Sequence, residues 1–196
     1  MILRKGEDTK QKILKHTLRL FTLKGYEETS LRDIAFSVDI KPPSIYAYFS
    51  SKEALFKEIM ASVIDDCVSF IHHVASTIEL LSIQEKIYHL FKEISQYFYM
   101  TERGIFLKRY STFPPGRFKD IIHQYNIEFE NKIRTLLYKI LETEEDDSKL
   151  IDKETIVTSF ICFLDGMLSY VLNHSYDEYE NRLHSTWEVF CKGILK

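Results

Sequence analysis

The chain has 196 residues, 45% hydrophobic and 28% charged, with 14% aromatics but only 6 Gly and 4 Pro. That composition is globular, long enough for one large core or two small ones, and too poor in turn residues for a β-rich fold. Its net charge of −3 is unevenly spread: residues 1–58 hold 11 Lys/Arg and 8 Asp/Glu, the remainder 15 and 21. A mildly basic head therefore precedes an acidic body. The three cysteines, Cys67, Cys162 and Cys191, are widely spaced and form neither a disulfide framework nor a zinc pattern, so reduced thiols in a cytoplasmic protein are expected.

In chain order, residues 8–24 place Ile13, Thr17, Leu20 and Phe21 on one helical face, and Gly25 follows where a C-terminal cap glycine belongs. Ser30 precedes LRDIAFSV with Asp33 three residues on, the spacing of a capping box. That helix is short, broken by Asp39-Ile40-Lys41, where Asp tolerates a left-handed turn. Pro42-Pro43 opens the next helix, PPSIYAYF, and a second capping box, Ser50 to Glu53, starts a longer one towards His72. Residues 83–100 carry Ile87, Leu90, Phe91, Ile94 and Phe98 at three- and four-residue spacing, and a shorter helix spans about 103–111. After the TFPPG break, residues 117–142 align Ile122, Phe129, Ile133, Leu136 and Ile140. The acidic run 142–148 reads as a solvated loop, and helices over 151–173 and 176–194 finish the chain. The expectation is an all-α fold of about nine helices: a three-helix head with a helix-turn-helix, then a larger helical domain.

Two short helices joined by a tight turn would bury Ile34, Ala35, Ile40, Ile45 and Phe49 against the first helix. Ser44, Ala47 and Tyr48 would then face outward, with Tyr46 at the edge. A recognition helix reads base edges through residues near its N-terminus while the preceding helix crosses the backbone. Hydroxyls and amides at helix starts suit phosphate, and Thr29, Ser30 and Lys52 sit at such starts.

The pairs Gly25-Tyr26, Thr29-Ser30-Leu31, Ile34-Ala35, Ile45-Tyr46, Tyr48-Phe49 and Lys52-Glu53-Leu55 occur in a defined order and spacing. In this the stretch from Gly25 to Phe56 resembles the DNA-binding region of the TetR family of bacterial regulators. The resemblance implies a DNA-binding domain over 1–55 and a helical ligand-binding and dimerisation domain over 56–196. It implies that Thr29, Tyr46, Tyr48 and Lys52 contact the sugar-phosphate backbone, while Lys41, Pro43, Ser44 and Ala47 line the groove-facing start. Two departures matter: Asp39 stands where the family has Gly, and Lys41-Pro42-Pro43 where it has Ser-x-Gly. The prolines remove backbone donors, so Lys41 and Ser44 are left for hydrogen-bonded readout, with Pro43 and Ala47 available to thymine methyls. Tyr46 and Tyr48 also read as half-buried packing aromatics, and Lys41 and Lys52 as solvated lysines.

The resemblance further implies a homodimer through a four-helix bundle of the last two helices. Their apolar stripes are Ile161, Leu164, Leu168, Leu172 and Leu183, Trp187, Phe190, Ile194. Part of each stripe must face its own core. A pocket for a small apolar or amphipathic ligand would draw on Tyr97, Phe106, Tyr110, Tyr125, Phe129, Phe163 and Tyr170, with core packing as the competing reading. Asp165, the one acid in an apolar run, suits either a cationic ligand or a structural hydrogen bond.

No metal-ligand spacing, catalytic triad, paired catalytic carboxylates or phosphate loop is present, so no cofactor, metal or enzymatic activity is expected. The start, MILRKGEDTKQK, lacks a signal-peptide core. The greasy stretch Ile156 to Leu172 contains Thr158, Ser159 and Asp165 and reads as a buried helix, not a membrane span. The leading expectation is a repressor of a palindromic operator, with double-stranded DNA, a second copy and a small molecule as partners. The alternative keeps the helix-turn-helix only as a scaffold for protein interaction.

Overall fold

The computed structural model describes residues 2–143, 151–169 and 175–194. Tyr170, Leu172, the side chain of Ile194 and most of the acidic run 142–148 lie outside the described residues. Eight α-helices and two 3-10 segments are present among them, and no strand. The helices are α1 (Ile2–Leu23), α2 (Leu31–Ser37), α3 (Lys52–Thr77), α4 (Ile83–Met100), α5 (Glu102–Thr112), α6 (Lys119–Leu141), α7 (Lys153–Ser169) and α8 (Tyr176–Ile194). The 3-10 segments are Pro42–Ala47 and Gly116–Phe118.

Local chemistry sets most of the boundaries in the head. α1 begins earlier than its apolar stripe, because Gly6 weakens a helix without ending it. It ends at Gly25, whose φ of 96° lets its amide donate to the Phe21 carbonyl at 3.0 Å. Ser30 and Asp33 form the expected reciprocal capping box. Asp39 takes the left-handed turn at φ 56°, and the Ile40 amide closes back on the Ala35 carbonyl at 3.1 Å.

Two local expectations are corrected. PPSIYAYF is not an α-helix: residues Pro42–Ala47 form a 3-10 helix. Two consecutive prolines remove the amides that α-type bonds would start from, and the Ser44 amide instead donates to Lys41 at 2.8 Å. The cap of α3 is Ser51, not Ser50; its Oγ accepts from the Ala54 amide at 3.0 Å. Glu53 is thereby freed for ion pairs with Lys57 at 2.8 Å and Arg117 at 3.9 Å.

Two apolar clusters result. One is built on α4, α6, α7 and α8 with the later part of α3, around Ile87, Leu90, Ile94, Ile133, Leu137, Ile156 and Phe160. The other joins Ile13, Phe21, Tyr26, Ile34, Ile45, Phe49 and Leu55 of the head to Phe56, Ile59 and Val63 of α3 and to Phe106, Tyr110, Phe118 and Ile122. Phe56 is its hub, stacked on Phe118 at 4.3 Å and edge-on to Tyr26 and Tyr110 at 5.1 and 5.0 Å. The head's core therefore continues into α5 and α6.

α5 reaches that position because of one close contact. Thr101 caps it, accepting from the Gly104 amide at 2.9 Å and donating to the Tyr97 carbonyl at 2.7 Å. A Cβ on Gly104 would lie 2.2 Å from the Tyr97 carbonyl oxygen and 2.5 Å from Phe98 Cα. Only glycine lets α5 turn back across the end of α4 at backbone contact.

Candidate nucleic-acid interface and the cavity behind it

The 3-10 segment presents Lys41, Pro43, Ser44, Tyr46 and Ala47 to solvent, with Tyr46 61% exposed. Ile45 is fully buried and fixes the segment on α1 and α2. Tyr48 is half-buried against the same core. The outward and edge positions of the two tyrosines are thus exchanged relative to expectation. At three residues per turn, Ile45 and Tyr48 share a face, so Tyr48 follows Ile45 inward and Tyr46 turns out.

Three residues expected at phosphate have other commitments. Thr29 is fully buried, and its hydroxyl donates to the Gly25 carbonyl at 2.8 Å. Ser30 is exposed, but its Oγ accepts from the Asp33 amide while the Ser30 amide donates to the Asp33 carboxylate at 2.9 Å. The Ser30 hydroxyl and amide hold that carboxyl below its usual range. Lys52 donates to the Tyr26 carbonyl at 2.8 Å and stands 4.2 Å from the Tyr26 ring centroid. It clamps the loop between α1 and α2, because the start of α3 runs back beneath that loop. Sequence reasoning passed over Arg32, which lies over the ring of exposed Phe36 at 5.3 Å on the outer side of α2. The signal was an Arg and a Phe four apart on the polar side of an amphipathic helix.

Behind the head, α5 holds α1. Arg109 donates to the Thr22 carbonyl at 3.1 Å, and Tyr110 donates to the Phe21 carbonyl at 3.0 Å. Both are carbonyls of the last turn of α1; the Phe21 carbonyl also accepts the Gly25 amide, so Tyr110 adds a second donor there. The Arg109 guanidinium also fills the space beside Gly25, 2.9 Å from where a Cβ would stand.

The opposite face of α5 opens on a cavity of about 460 Å³ walled by α3, α4, α5, α6 and α7. Leu107, Lys108, Ser111 and Thr112 of α5 line it, with Met60, Ile64 and Cys67 of α3, Phe98 of α4, Tyr125 and Phe129 of α6 and Asp165 of α7. Its size and mixed lining are those of a small-molecule site. Burial pushes the Cys67 thiol up to about 12. Asp165 is raised by loss of water, opposed by Lys108 and reinforced by Glu130; Lys108 is lowered by burial and raised by Asp165.

Of the expected pocket residues, Tyr125, Phe129 and Asp165 line this cavity. Phe106 and Tyr110 do not; they are buried in the head's cluster. Tyr97 instead donates to Asp66 at 2.8 Å and stacks on Phe70 at 4.7 Å. Phe163 packs edge-on against Phe190 at 5.5 Å between α7 and α8. The described residues of the stripe expected at a dimer interface also face their own chain. Ile161, Leu164 and Leu168 line the cavity. Leu183 and Phe190 are buried in the body's own core, with Trp187 half-buried beside Tyr88 at 5.0 Å. The outer sides of α7 and α8 carry Cys162, Gly166, Ser185 and Val189 instead. Among the described residues no group of His, Cys, Asp and Glu is placed to hold a metal, and no helix is long and apolar enough to cross a membrane.

The reading head and the whole chain have known counterparts. Residues 13–59 match the family described as bacterial regulatory proteins, tetR family. The chain is 26% identical over 193 residues, 93% of its length and 99% of the relative's, to the biofilm operon icaADBC HTH-type negative transcriptional regulator IcaR of Staphylococcus epidermidis. Its fold is similar to that of a TetR transcriptional regulator from Chloroflexus aurantiacus, with a TM-score of 0.75 at 15% identity over 98% of both chains. It is also similar to the fold of the transcriptional regulator FadR from Bacillus subtilis in complex with stearoyl-CoA, with a TM-score of 0.67 at 16% identity, covering 94% of this chain and 98% of that one. Residues 13–59 thus carry the N-terminal region of the tetR family of bacterial regulatory proteins, and the chain as a whole is similar in sequence to a regulator with such a head and in fold to others.

Proposed function

We propose that this DNA-binding regulator is a cytoplasmic homodimeric repressor, held on a palindromic operator and released when a small apolar or amphipathic molecule fills the cavity. It needs no cofactor and has no catalytic activity of its own. The observation that carries this reading is the two-sidedness of α5. Lys108 and Ser111 face the cavity, while Arg109 and Tyr110 hold the end of α1. A body that occupies the cavity pushes on a helix welded to the reading head. In a two-fold dimer the half-site spacing is fixed by DNA geometry, so a small shift of each head lowers operator affinity.

In this reading residues 1–55 are the DNA-binding head and 56–196 the ligand-binding and dimerisation domain. Tyr46 contacts the sugar-phosphate backbone, Lys41 neutralises a phosphate at the groove edge while within reach of a base, Ser44 reaches base edges, and Pro43 and Ala47 offer apolar contact to thymine methyls. Thr29, Ser30 and Lys52 support the interface by shaping the loop and the start of α2. The outer sides of α7 and α8, with Val189 exposed, meet the second copy.

The test uses an operator selected from a random duplex library and fluorescence anisotropy. Tyr46→Ala should weaken binding, and Leu164→Trp, which fills the cavity from within, should weaken it without touching the head. Unchanged affinity in both variants overturns the reading. A flat salt dependence would point to the helix-turn-helix as a protein-interaction scaffold, since phosphate contacts release counterions.

A further inference from the structure

The charged groups around the cavity are not equivalent. Glu128, Glu130 and Lys132 are exposed along its α6 edge. There Glu128 accepts from Gln124 at 3.0 Å and Glu130 faces Arg134 at 3.7 Å. Lys108 and Asp165 come from α5 and α7; Lys108 is half-buried, and Asp165, open to solvent on one side, loses water where it lines the cavity. Each alters the other's charge state, and burial disfavours the charged form of both. Neither side chain makes a hydrogen bond or ion pair within the described residues. Around them the wall is apolar: Phe98, Leu107, Phe129, Ile161, Leu164 and Leu168.

A partly dehydrated charge is costly unless a complementary group meets it. A singly charged ligand can satisfy one of this pair only. A fatty anion meets Lys108 and opposes Asp165, with Glu130 beyond it; a greasy cation meets Asp165 and opposes Lys108. Both are satisfied together by a head that carries both kinds of group. We propose that the cavity takes an amphiphile of zero net charge, whose head offers an anionic or acceptor atom to Lys108 and a cationic or donor group to Asp165, and whose tail lies along the apolar wall. This rests on the cavity being the effector site, and names the class of molecule that site accepts.

The class is tested by calorimetric titration of the full chain with three probes that share a decyl tail, each below its micellar concentration. They are decyl-dimethylglycine, decanoate and decyltrimethylammonium. The zwitterion should bind at least about tenfold more tightly than either singly charged probe, the scale of one charge-assisted hydrogen bond. Lys108→Met should move the preference to the cation and Asp165→Asn to the anion, while Lys108→Arg keeps the original order. Circular dichroism melts check that each variant is folded. Equal binding of all three probes, a preference that neither substitution moves, or no binding overturns the proposal. The Leu164→Trp measurement separates this from failure of the effector reading. If that variant still loses operator affinity, the cavity remains the effector site and only the ligand class is wrong. If it does not, and no probe binds, both fall.

Discussion

The reading head and the body are both helical and both well buried, yet they are specified differently. In the head, each turn is set by chemistry within a few residues: Gly25 at positive φ, the Ser30–Asp33 capping box, Asp39 in the left-handed region, the Pro42-Pro43 start. In the body, the decisive contacts are mostly long-range: Ser95 with Tyr179 at 2.8 Å, Tyr97 with Asp66 at 2.8 Å, Arg109 with Thr22 at 3.1 Å. The difference teaches where the two can vary. A head whose shape is set locally keeps its geometry while its exposed side chains change. A body assembled from generic apolar stripes can reshape its cavity without leaving a short motif behind.

The aromatic hub that joins the two regions should break the comparison most severely. Phe56 is 1% exposed and touches the rings of Phe21, Tyr26, Phe106, Tyr110 and Phe118. Phe56→Ala should cost about 3–5 kcal/mol in urea unfolding and abolish operator binding. If only the head's signal is lost while the body unfolds at its original midpoint, the two cores are less coupled than the shared cluster implies. Gly104→Ala comes next, at about 1–3 kcal/mol, because the added methyl meets the α4 backbone. A neutral result in thermal melts would show that α5 shifts freely along α4.

Arg109→Met should cost about 1–3 kcal/mol by leaving the Thr22 carbonyl without its donor. Its more telling effect is on coupling. In this background Leu164→Trp should no longer weaken DNA binding, as read by anisotropy. Retained coupling would route the signal through α3 instead. A smaller contrast separates the two lysines of the head. Lys41→Ala should lower the slope of log affinity against log salt by about one. Lys52→Ala should weaken binding with the slope unchanged, since its ammonium is spent on the Tyr26 carbonyl. Equal slope changes would return Lys52 to the phosphates.

The smallest effect concerns Asp165, whose folded-state value lies above that of an ordinary aspartate, chiefly from lost water. The folded chain then holds that proton more tightly than the unfolded one. The resulting stability is full below the ordinary aspartate value and is lost as pH rises through the raised one. Urea midpoints of the wild type and Asp165→Asn across mildly acidic pH should diverge in that direction, the wild type falling relative to the variant as pH increases. Parallel profiles would mean that the carboxylate is fully hydrated in the cavity.

The helix-turn-helix was legible because its signals are local and its spacing narrow: the buried set Ile34, Ala35, Ile45 and Phe49 could be read directly. Residue roles at its surface were harder. Thr29 and Lys52 have the right chemistry for phosphate, and only the fold shows a buried hydroxyl and a clamped ammonium. In the body, Phe106 and Tyr110 looked like pocket aromatics, and Leu164 and Leu168 like interface residues. The first two are in the head's core and the second two in the cavity wall, because an apolar residue at helical spacing satisfies a core, a cavity wall or an interface equally well.

What the sequence by itself determined is an all-helical chain with a reading head, its caps and breaks, and the family resemblance of that head, since propensity, capping and turn chemistry act over a few residues. What only the tertiary structure decided is which face each helix turns to which neighbour. That includes the 3-10 twist that sends Tyr46 outward and Tyr48 inward, and the close crossing at Gly104. It also includes the placement of Lys108 and Asp165 in the wall of one cavity, with Arg109 holding the head from the far side of α5. The twist and the crossing have local causes, Pro42-Pro43 and Gly104, whose outcome only the packed chain displays; the cavity and the hold on α1 depend on contacts between residues distant in the chain, and no local pattern encodes which of several equivalent apolar faces will meet.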